Sequence, residues 1–240
     1  MNFDDLRAAS IDVGTGRSRV FLHRGTHADK SVIDQVLFKK HYSIKRLARG
    51  EEIYHLYESI IQSGKRPLIV DAGANIGTSA VWFQSRFPDS LVLAIEPDEE
   101  NASIADRNCY GLNVEIIRGA VGSEDGKVVI TNPEAESWSF RTQVSDIGTI
   151  ARFSMSNLIA DKQREGCEPF IVKVDIEGGE EELFSKNLDW LSSVPLVVIE
   201  LHDWLFPAEG TSLPFLRAVA SLDRDFVHIG QNIFSIRNGR

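Results

Sequence analysis

The sequence predicts an α/β fold, a mostly parallel β-sheet with helices on both faces that ends in an antiparallel hairpin. Three observations predict it. Apolar runs of strand length recur along the chain, stretches with helical spacing separate them, and the last two runs flank a short turn. Parallel strands are expected at residues 68–71, 91–96, 114–117, 170–175 and 195–201, and hairpin strands at 225–229 and 233–237 around Gly230-Gln231-Asn232.

Helices are expected in the stretches between the strands. Apolar residues recur there at helical spacing, at 76–86, 98–109, 178–187 and 212–222. An earlier helix at 51–64 stops at Gly64 and carries its apolar residues on one face, namely Ile53, Leu56, Tyr57, Ile60 and Ile61. We therefore expect residues 1–66 to form an N-terminal cap segment over a core of residues 67–240.

The region 132–168 carries Asn, Pro, Ser, Gly and many charged residues around several aromatic ones. It is too long for a simple connection, so we expect an irregular insertion that shapes a substrate pocket. Trp138, Phe140, Trp204 and Phe206 are expected to flank the mouth of that pocket. Aromatic rings there either pack or stack on a sugar or planar ring.

Composition limits the classes of protein to consider. The 240 residues are 42% hydrophobic, which is enough to bury a single sizeable core. The two cysteines, Cys109 and Cys167, have no metal-ligand spacing and are expected to be packing residues. The chain has no run of eighteen apolar residues, and its start, MNFDDLRAAS, lacks the pattern of a signal peptide. We therefore expect a cytoplasmic protein with no membrane association.

The charge balance argues against a nucleic acid polymer as partner. The formal net charge is −9, whereas phosphate backbones are bound by clustered Lys and Arg. The densest basic stretch, residues 39–49, is interleaved with Tyr42, Ile44 and Leu47. That pattern is typical of a solvated amphipathic segment. The sequence leaves open whether the chain forms a homo-oligomer.

The stretch DAGANIG, residues 71–77, is a glycine-rich turn between a predicted strand and a predicted helix. A helix N-terminus at such a turn can face an anionic or polar ligand. A P-loop would need a lysine after its glycines, and a dinucleotide site would need glycines where Asn75 and Thr78 stand. The remaining ligand is S-adenosylmethionine, which has no pyrophosphate to cradle, and Asp71 can serve its cationic methionine end.

Glu96 ends the second predicted core strand. An acidic side chain there points across the crevice of the sheet and can accept both hydroxyls of a ribose. We therefore predict that Glu96 clamps the ribose of the cofactor. After the third strand, residues 118–122 are predicted to supply small residues, Ala120 among them, and backbone groups at the adenine face. The same run is also ordinary turn material.

Five motifs together resemble the FkbM family of S-adenosylmethionine-dependent methyltransferases. They are DAGANIG (71–77), AIEP (94–97), GAVG (119–122), KVDIEGGE (173–180) and VIELH (198–202), and their order and spacing match as well. The upstream segment FLHRGTHADKSVIDQVLFKKHY (21–42) is similar to the one that precedes the core in many sugar-directed members. The resemblance therefore covers most of the chain.

The resemblance implies a Rossmann-like class I methyltransferase fold with a seven-stranded sheet. It also implies O-methylation of a hydroxyl, commonly on a sugar or a glycosylated natural product, with S-adenosylhomocysteine as product. The motifs map onto specific positions here, including Lys173, Asp175, Glu177 and Gly178. The predicted cofactor-binding residues are Asp71, Gly73, Ala74, Asn75, Gly77, Thr78, Glu96, Pro97, Ala120 and Asp175.

A second group of ionisable residues lies at the ends of the fourth and fifth predicted core strands. Lys173, Asp175 and Glu177 alternate, so a period of two puts them on one face at the edge where ligands bind. His202 reaches the same edge. Methyl transfer from a sulfonium needs an aimed hydroxyl and a group that takes its proton. The predicted catalytic set is therefore His202, Asp175, Lys173 and Glu177, with His202 as the base because its ordinary pKa lies near neutrality.

Other roles for these residues stay open. His202 could cap a helix or support another residue, Glu177 could cap the helix that begins at Gly178, and Lys173 could simply neutralise the acids. A Mg²⁺ ion held by Asp175 with Glu200 or His202 is possible but not favoured, because no third protein ligand is evident.

The sequence leaves three functions to compare. The first is O-methylation of a hydroxyl on a sugar or a glycosylated small molecule. The second is methylation of the ribose of a nucleoside or nucleotide, with the basic stretch 39–49 gripping a phosphate. The third belongs to another class, a non-catalytic module that binds the nucleoside cofactor only to regulate a partner.

Overall fold

The computed structural model describes residues 6–12, 18–132 and 142–239. Its strands are β1 (Arg7–Asp12), β2 (Ser18–His23), β3 (Arg66–Ala72), β4 (Leu91–Glu96), β5 (Val114–Arg118), β6 (Ala120–Gly122), β7 (Gly126–Ile130), β8 (Thr142–Val144), β9 (Ile150–Ser154), β10 (Cys167–Val174), β11 (Leu196–Glu200), β12 (Arg224–Ile229) and β13 (Asn232–Arg237). Its helices are α1 (His27–Ile33), α2 (Gly50–Gln62), α3 (Thr78–Arg86), α4 (Glu99–Asn108), α5 (Met155–Arg164), α6 (Glu180–Leu183), α7 (Trp190–Ser193) and α8 (Leu213–Ala220).

Seven strands form the central sheet in the order β12-β13-β11-β10-β3-β4-β5. Strands β11, β10, β3, β4 and β5 run parallel, and β13 is antiparallel to both of its neighbours. This arrangement confirms the predicted mostly parallel seven-stranded sheet with a C-terminal hairpin. The strand order reverses between β3 and β10, and ligands of such sheets bind beyond the carboxyl ends of the strands at this point.

The two faces of the sheet bury two separate apolar cores. Along β3, Ile69 belongs to one core, whereas Leu68 and Val70 belong to the other, as the period of two in a strand requires. The helix α2 covers the first core, where the ring of Tyr57 lies 5.1 Å from that of Phe87. Both cysteines are buried as free thiols, one in each core.

The helices largely match the predicted stretches. The predicted helix 51–64 is α2, and 76–86, 98–109 and 212–222 correspond to α3, α4 and α8. The helix predicted at 178–187 was too long, because α6 has only four residues. The chain has left the helical conformation by Asn187, whose φ is +56°. Among the described residues, no helix is long and apolar enough to cross a membrane.

The prediction of an irregular insertion at 132–168 was wrong in part. Strand β9 and helix α5 occupy residues 150–164, and β9 joins β6, β7 and β8 in a second, four-stranded sheet. The hydroxyl of Ser154 caps α5 by accepting from the backbone N–H of Asn157, and Met155 and Ile159 turn inward. Polar residues on the rest of this helix hid the apolar spacing. The expectation for Trp138 and Phe140 falls outside the described residues.

Candidate active site

Gly73 brings the turn after β3 against the loop after β10. Its φ is +79°, a left-handed conformation that glycine adopts at low cost. A Cβ built at this position would lie 1.8 Å from the backbone oxygen of Asp175. Only glycine therefore allows these two strand ends to approach so closely at the point where the strand order reverses.

Asn75 and Gly77 complete the turn and start the helix α3. Asn75 has a φ of +50°, and its side-chain oxygen accepts from the backbone N–H of Ile76 at 2.7 Å. Gly77 has a φ of +84°, and a Cβ there would lie 3.1 Å from the Cα of Ala105 in α4. Gly77 thus serves the packing of α3 on α4.

Asp71 and Lys173 form a buried ion pair behind the turn. The ammonium of Lys173 lies 3.1 Å from Asp71 Oδ1, and Ser79 Oγ donates to Asp71 Oδ2 at 2.6 Å. The same ammonium donates to the backbone oxygen of Gly73 at 2.6 Å. Burial alone would lower the pKa of Lys173, but the charges of Asp71, Tyr42 and Asp175 and the hydrogen bond to Asp71 together keep the pKa above its ordinary value. The buried pair therefore stabilises the turn, because Lys173 bonds both to Asp71 and to the backbone of Gly73.

Glu96 ties the end of β4 to the turn. Its carboxylate, only 5% exposed, accepts from the backbone N–H groups of Asn75 at 2.8 Å and Asp98 at 3.0 Å. The amide of Asn101 donates to it at 3.4 Å. Burial raises the pKa of Glu96 to about 7, although these hydrogen bonds oppose the rise. The side chain borders the cleft above the turn.

Three further carboxylates line the same cleft, those of Asp175, Glu177 and Glu200. Asp175 and Glu177 follow β10, and Glu200 ends the neighbouring strand β11. Burial, followed by the charge of Asp175, raises the pKa of Glu177 to about 8 and that of Glu200 to about 7. The cleft therefore gathers acidic groups at the carboxyl ends of two adjacent strands, where burial and mutual repulsion disfavour their ionised forms.

His202 lies behind these carboxylates and is 1% exposed. Its Nδ1 lies 2.9 Å from Glu180 Oε1, and its Nε2 lies 3.4 Å from Glu177 Oε2 and 3.6 Å from Asp175 Oδ1. Burial lowers the pKa of His202, but the hydrogen bond to Glu180 and the surrounding carboxylates raise it to about 9. The imidazole is thus enclosed by carboxyl groups, and it is not among the groups that line the cleft.

The cleft gathers most, but not all, of the predicted site residues. Asp71 faces Lys173, Gly77 faces α4, and Thr78 is fully buried at the start of α3. None of these three lines the cleft. The predicted residues that do line it are Gly73, Ala74, Asn75, Glu96, Pro97, Ala120, Lys173, Asp175 and Glu177. Their roles remain predictions.

The N-terminal segment supplies lining residues that the sequence analysis did not single out. The helix α1, the π-helical segment Asp34–Phe38 that continues it and the turn after that segment contribute six, namely His27, Ser31, Val32, Gln35, Val36 and Tyr42. One local signal could have located α1. Thr26 accepts from the backbone N–H of Asp29 at 3.1 Å, and the threonine-to-acid spacing of a helix start is visible in the sequence.

The basic stretch 39–49 reaches the cleft only through Tyr42. Lys39 pairs with Asp34 at 2.7 Å, and Arg49 binds both Glu52 and Asp225. None of its Lys, Arg or His residues lines the cleft. Of the aromatic residues expected at the mouth, Trp204 lines the cleft and is 57% exposed, whereas Phe206 is buried against Gly178.

Fold and site together define an α/β protein with a ligand cleft at the switch point of a parallel sheet. Comparison with known proteins gives the class. The model of the methyltransferase FkbM domain matches residues 71–227. This chain therefore belongs to the FkbM methyltransferase family, and it is a methyltransferase by family.

One curated relative is the hexuronic acid methyltransferase AglP of Haloferax volcanii. It is 24% identical over 207 residues, which are 85% of this chain and 83% of the relative.

Among solved structures, an O-methyltransferase from Bacillus cereus in complex with SAH is 12% identical with a TM-score of 0.44, over 87% of this chain and 91% of that one. A methyltransferase from Geobacter sulfurreducens is 15% identical with a TM-score of 0.38, over 87% and 89% of the two chains.

Proposed function

We propose that this protein is an S-adenosylmethionine-dependent O-methyltransferase that acts on a hydroxyl of a sugar or of a glycosylated small molecule. The main support for the proposal is one cleft whose two parts are lined by different chemical groups. The Gly73 turn and Glu96 border one part, and the carboxylates of Asp175, Glu177 and Glu200 border the other.

The first part fits the cofactor. The close approach at Gly73 exposes backbone rather than side chain, and Glu96 presents a buried carboxylate that can accept hydrogen bonds from ribose hydroxyls. Gly119 and Ala120 also line the cleft, and their small size leaves room for an adenine ring. When bound, S-adenosylmethionine supplies an electrophilic methyl group. We assign Asp71 a supporting role, since its carboxylate is taken up by Lys173 and Ser79.

The second part suits a hydroxylated acceptor. Carboxylates accept hydrogen bonds from sugar hydroxyls, and the exposed ring of Trp204 offers an apolar face on which a sugar can stack. The N-terminal segment of the chain also borders the cleft, through helix α1 and Tyr42, and would reduce the access of water to it.

The proton of the reacting hydroxyl has to leave as the methyl group is transferred. His202 was predicted to take it, but the ring lies behind the carboxylates and its Nδ1 is held by Glu180. We propose instead that a cleft carboxylate, Glu177 first, accepts the proton directly. The imidazole lies behind Glu177, with its Nε2 3.4 Å from Oε2 of that residue.

The curated relative supports a saccharide acceptor, because its name states that it methylates hexuronic acid. The runner-up acceptor, a nucleotide ribose, loses its main support. In the basic stretch proposed to grip its phosphate, no Lys, Arg or His lines the cleft, and two of these residues, Lys39 and Arg49, pair with acidic side chains elsewhere.

The proposal is tested by measuring release of S-adenosylhomocysteine with neutral hexosides, hexuronates and nucleosides as acceptors. We expect turnover with at least one sugar and none with nucleosides. Turnover with nucleosides alone would replace the acceptor class. Tight binding of S-adenosylhomocysteine with no turnover on any acceptor would favour the regulatory module.

A further inference from the structure

The carboxylates behind the cleft surround a buried imidazole nitrogen that makes no hydrogen bond. His202 is 1% exposed, and its Nε2 has no hydrogen-bond partner although three carboxylate oxygens surround it. Those oxygens belong to Glu177 at 3.4 Å, Asp175 at 3.6 Å and Glu200 at 3.9 Å. A buried polar atom without a partner is costly, so this arrangement needs an explanation.

We propose that Asp175, Glu200 and His202 bind a divalent cation at the acceptor end of the cleft. One ligand atom from each of the three residues lies within 4.8 Å of the other two. Two ligands on one ion, each about 2.1 Å from it, are separated by up to roughly 4 Å. The separations of Nε2 from the two carboxylates are therefore too long for hydrogen bonds but close to those of atoms that share an ion.

The orientation of the imidazole supports the same assignment. Nδ1 faces Glu180 Oε1 at 2.9 Å, and an ionised carboxylate can only accept, so Nδ1 carries the hydrogen. The other nitrogen, Nε2, then points at Asp175 and Glu200. A histidine that binds a metal through one nitrogen usually donates from the other to a carboxylate or a similar acceptor, which fixes the tautomer and the ring orientation.

Charge balance points the same way. Four carboxylates surround the imidazole of His202, those of Asp175, Glu177, Glu180 and Glu200. Lys173 lies 3.7 Å from Asp175, but it is shared with Asp71 at 3.1 Å. A divalent ion bound among these groups would stabilise their ionised forms, which burial and mutual repulsion otherwise disfavour.

The ligand set also indicates the kind of ion and its use. Two carboxylates and one imidazole suit Mn²⁺ or a similar ion, and three protein ligands leave positions open for acceptor oxygens. This inference rests on the proposed function only for its use, which is to hold an acceptor hydroxyl close to Glu177. Binding of the ion itself does not depend on the acceptor.

The test is a Mn²⁺ titration of the full chain after removal of metals with a chelator, with free Mn²⁺ followed by electron paramagnetic resonance. We expect one Mn²⁺ per chain in the wild type. Glu200→Gln and His202→Gln should each weaken binding at least about tenfold, since losing even a residue that only orients a metal ligand costs about that much. Glu209→Gln makes the same charge change at an exposed position and should leave binding unchanged.

A second measurement needs no variant. Pulsed electron paramagnetic resonance on Mn²⁺ bound to the wild type should show coupling to an imidazole nitrogen. Absence of stoichiometric Mn²⁺ binding, absence of the nitrogen coupling, or wild-type affinity in both variants would overturn the site. Methyl transfer without Mn²⁺ binding would overturn the metal alone, and Mn²⁺ binding without methyl transfer would overturn the proposed function alone.

Discussion

We predict that the affinity for the cofactor depends on pH because Glu96 titrates near neutrality. Burial raises its pKa to about 7, so the free protein keeps a proton on this carboxyl over part of the neutral range. Ribose hydroxyls donate hydrogen bonds, and the ionised carboxylate accepts them best. Binding should therefore favour the ionised form and release the proton. Because the proton must leave, affinity falls as the pH falls through the pKa.

The magnitude follows from the fraction of Glu96 that is ionised. With a pKa of about 7, roughly a tenth is ionised at about pH 6 and roughly nine-tenths at about pH 8. The dissociation constant for S-adenosylhomocysteine should therefore be about tenfold higher at the lower pH, or about 1.4 kcal/mol. Glu96→Gln should remove this difference and, at the higher pH, cost about 1.5–3 kcal/mol of binding.

Isothermal titration calorimetry in buffers of different ionisation enthalpy measures both the affinity and the released proton. Glu99→Gln is a matched control, because that side chain is 74% exposed at the start of α4. Equal affinity of the wild type at both pH values, or wild-type affinity in Glu96→Gln, would refute the ribose assignment.

Two further predictions concern the stability of the turn. Gly73→Ala should lower the free energy of unfolding in urea by clearly more than Gly64→Ala, because both have φ near +79° but only Gly73 would press a Cβ against Asp175. Equal losses would show that the close approach is not needed. Lys173→Met leaves Asp71 buried without its ammonium partner and should cost about 3–5 kcal/mol in thermal unfolding. Lys65→Met removes an exposed pair and should cost less than about 1 kcal/mol, so similar losses in the two variants would contradict a bracing role for Lys173.

The central sheet could be predicted because its strands are continuous apolar runs. Residues 91–96 form a strand with the predicted bounds, since both faces of a central parallel strand are buried and every position is apolar until Glu96. The pairing of β1 with β2 was not predicted. Short hairpins with one exposed face carry a weak signal, and Val20 in β2 is 62% exposed.

Site residues could be predicted only where they lie at or just after the ends of predicted strands. Lys173, Asp175 and Glu177 line one cleft as predicted, but only Lys173 lies in β10, and the other two follow it in a loop where Glu177 has a φ of +53°. That His202 lies behind Glu177 rather than in the cleft depends on the path of the chain after β11, which strand periodicity does not specify. The contribution of Tyr42 is a tertiary contact from a segment far away in sequence.

In the proposed reaction a methyl group passes from S-adenosylmethionine to a sugar oxygen. The most direct measurement uses cofactor with a ¹³C-labelled methyl group and an acceptor that supports turnover, followed by two-dimensional NMR of the product. We predict a labelled O-methyl signal that correlates with one carbon of the sugar ring and grows in step with S-adenosylhomocysteine. Label on nitrogen or carbon of the acceptor, or as a methyl ester on a carboxyl group, would contradict the claim.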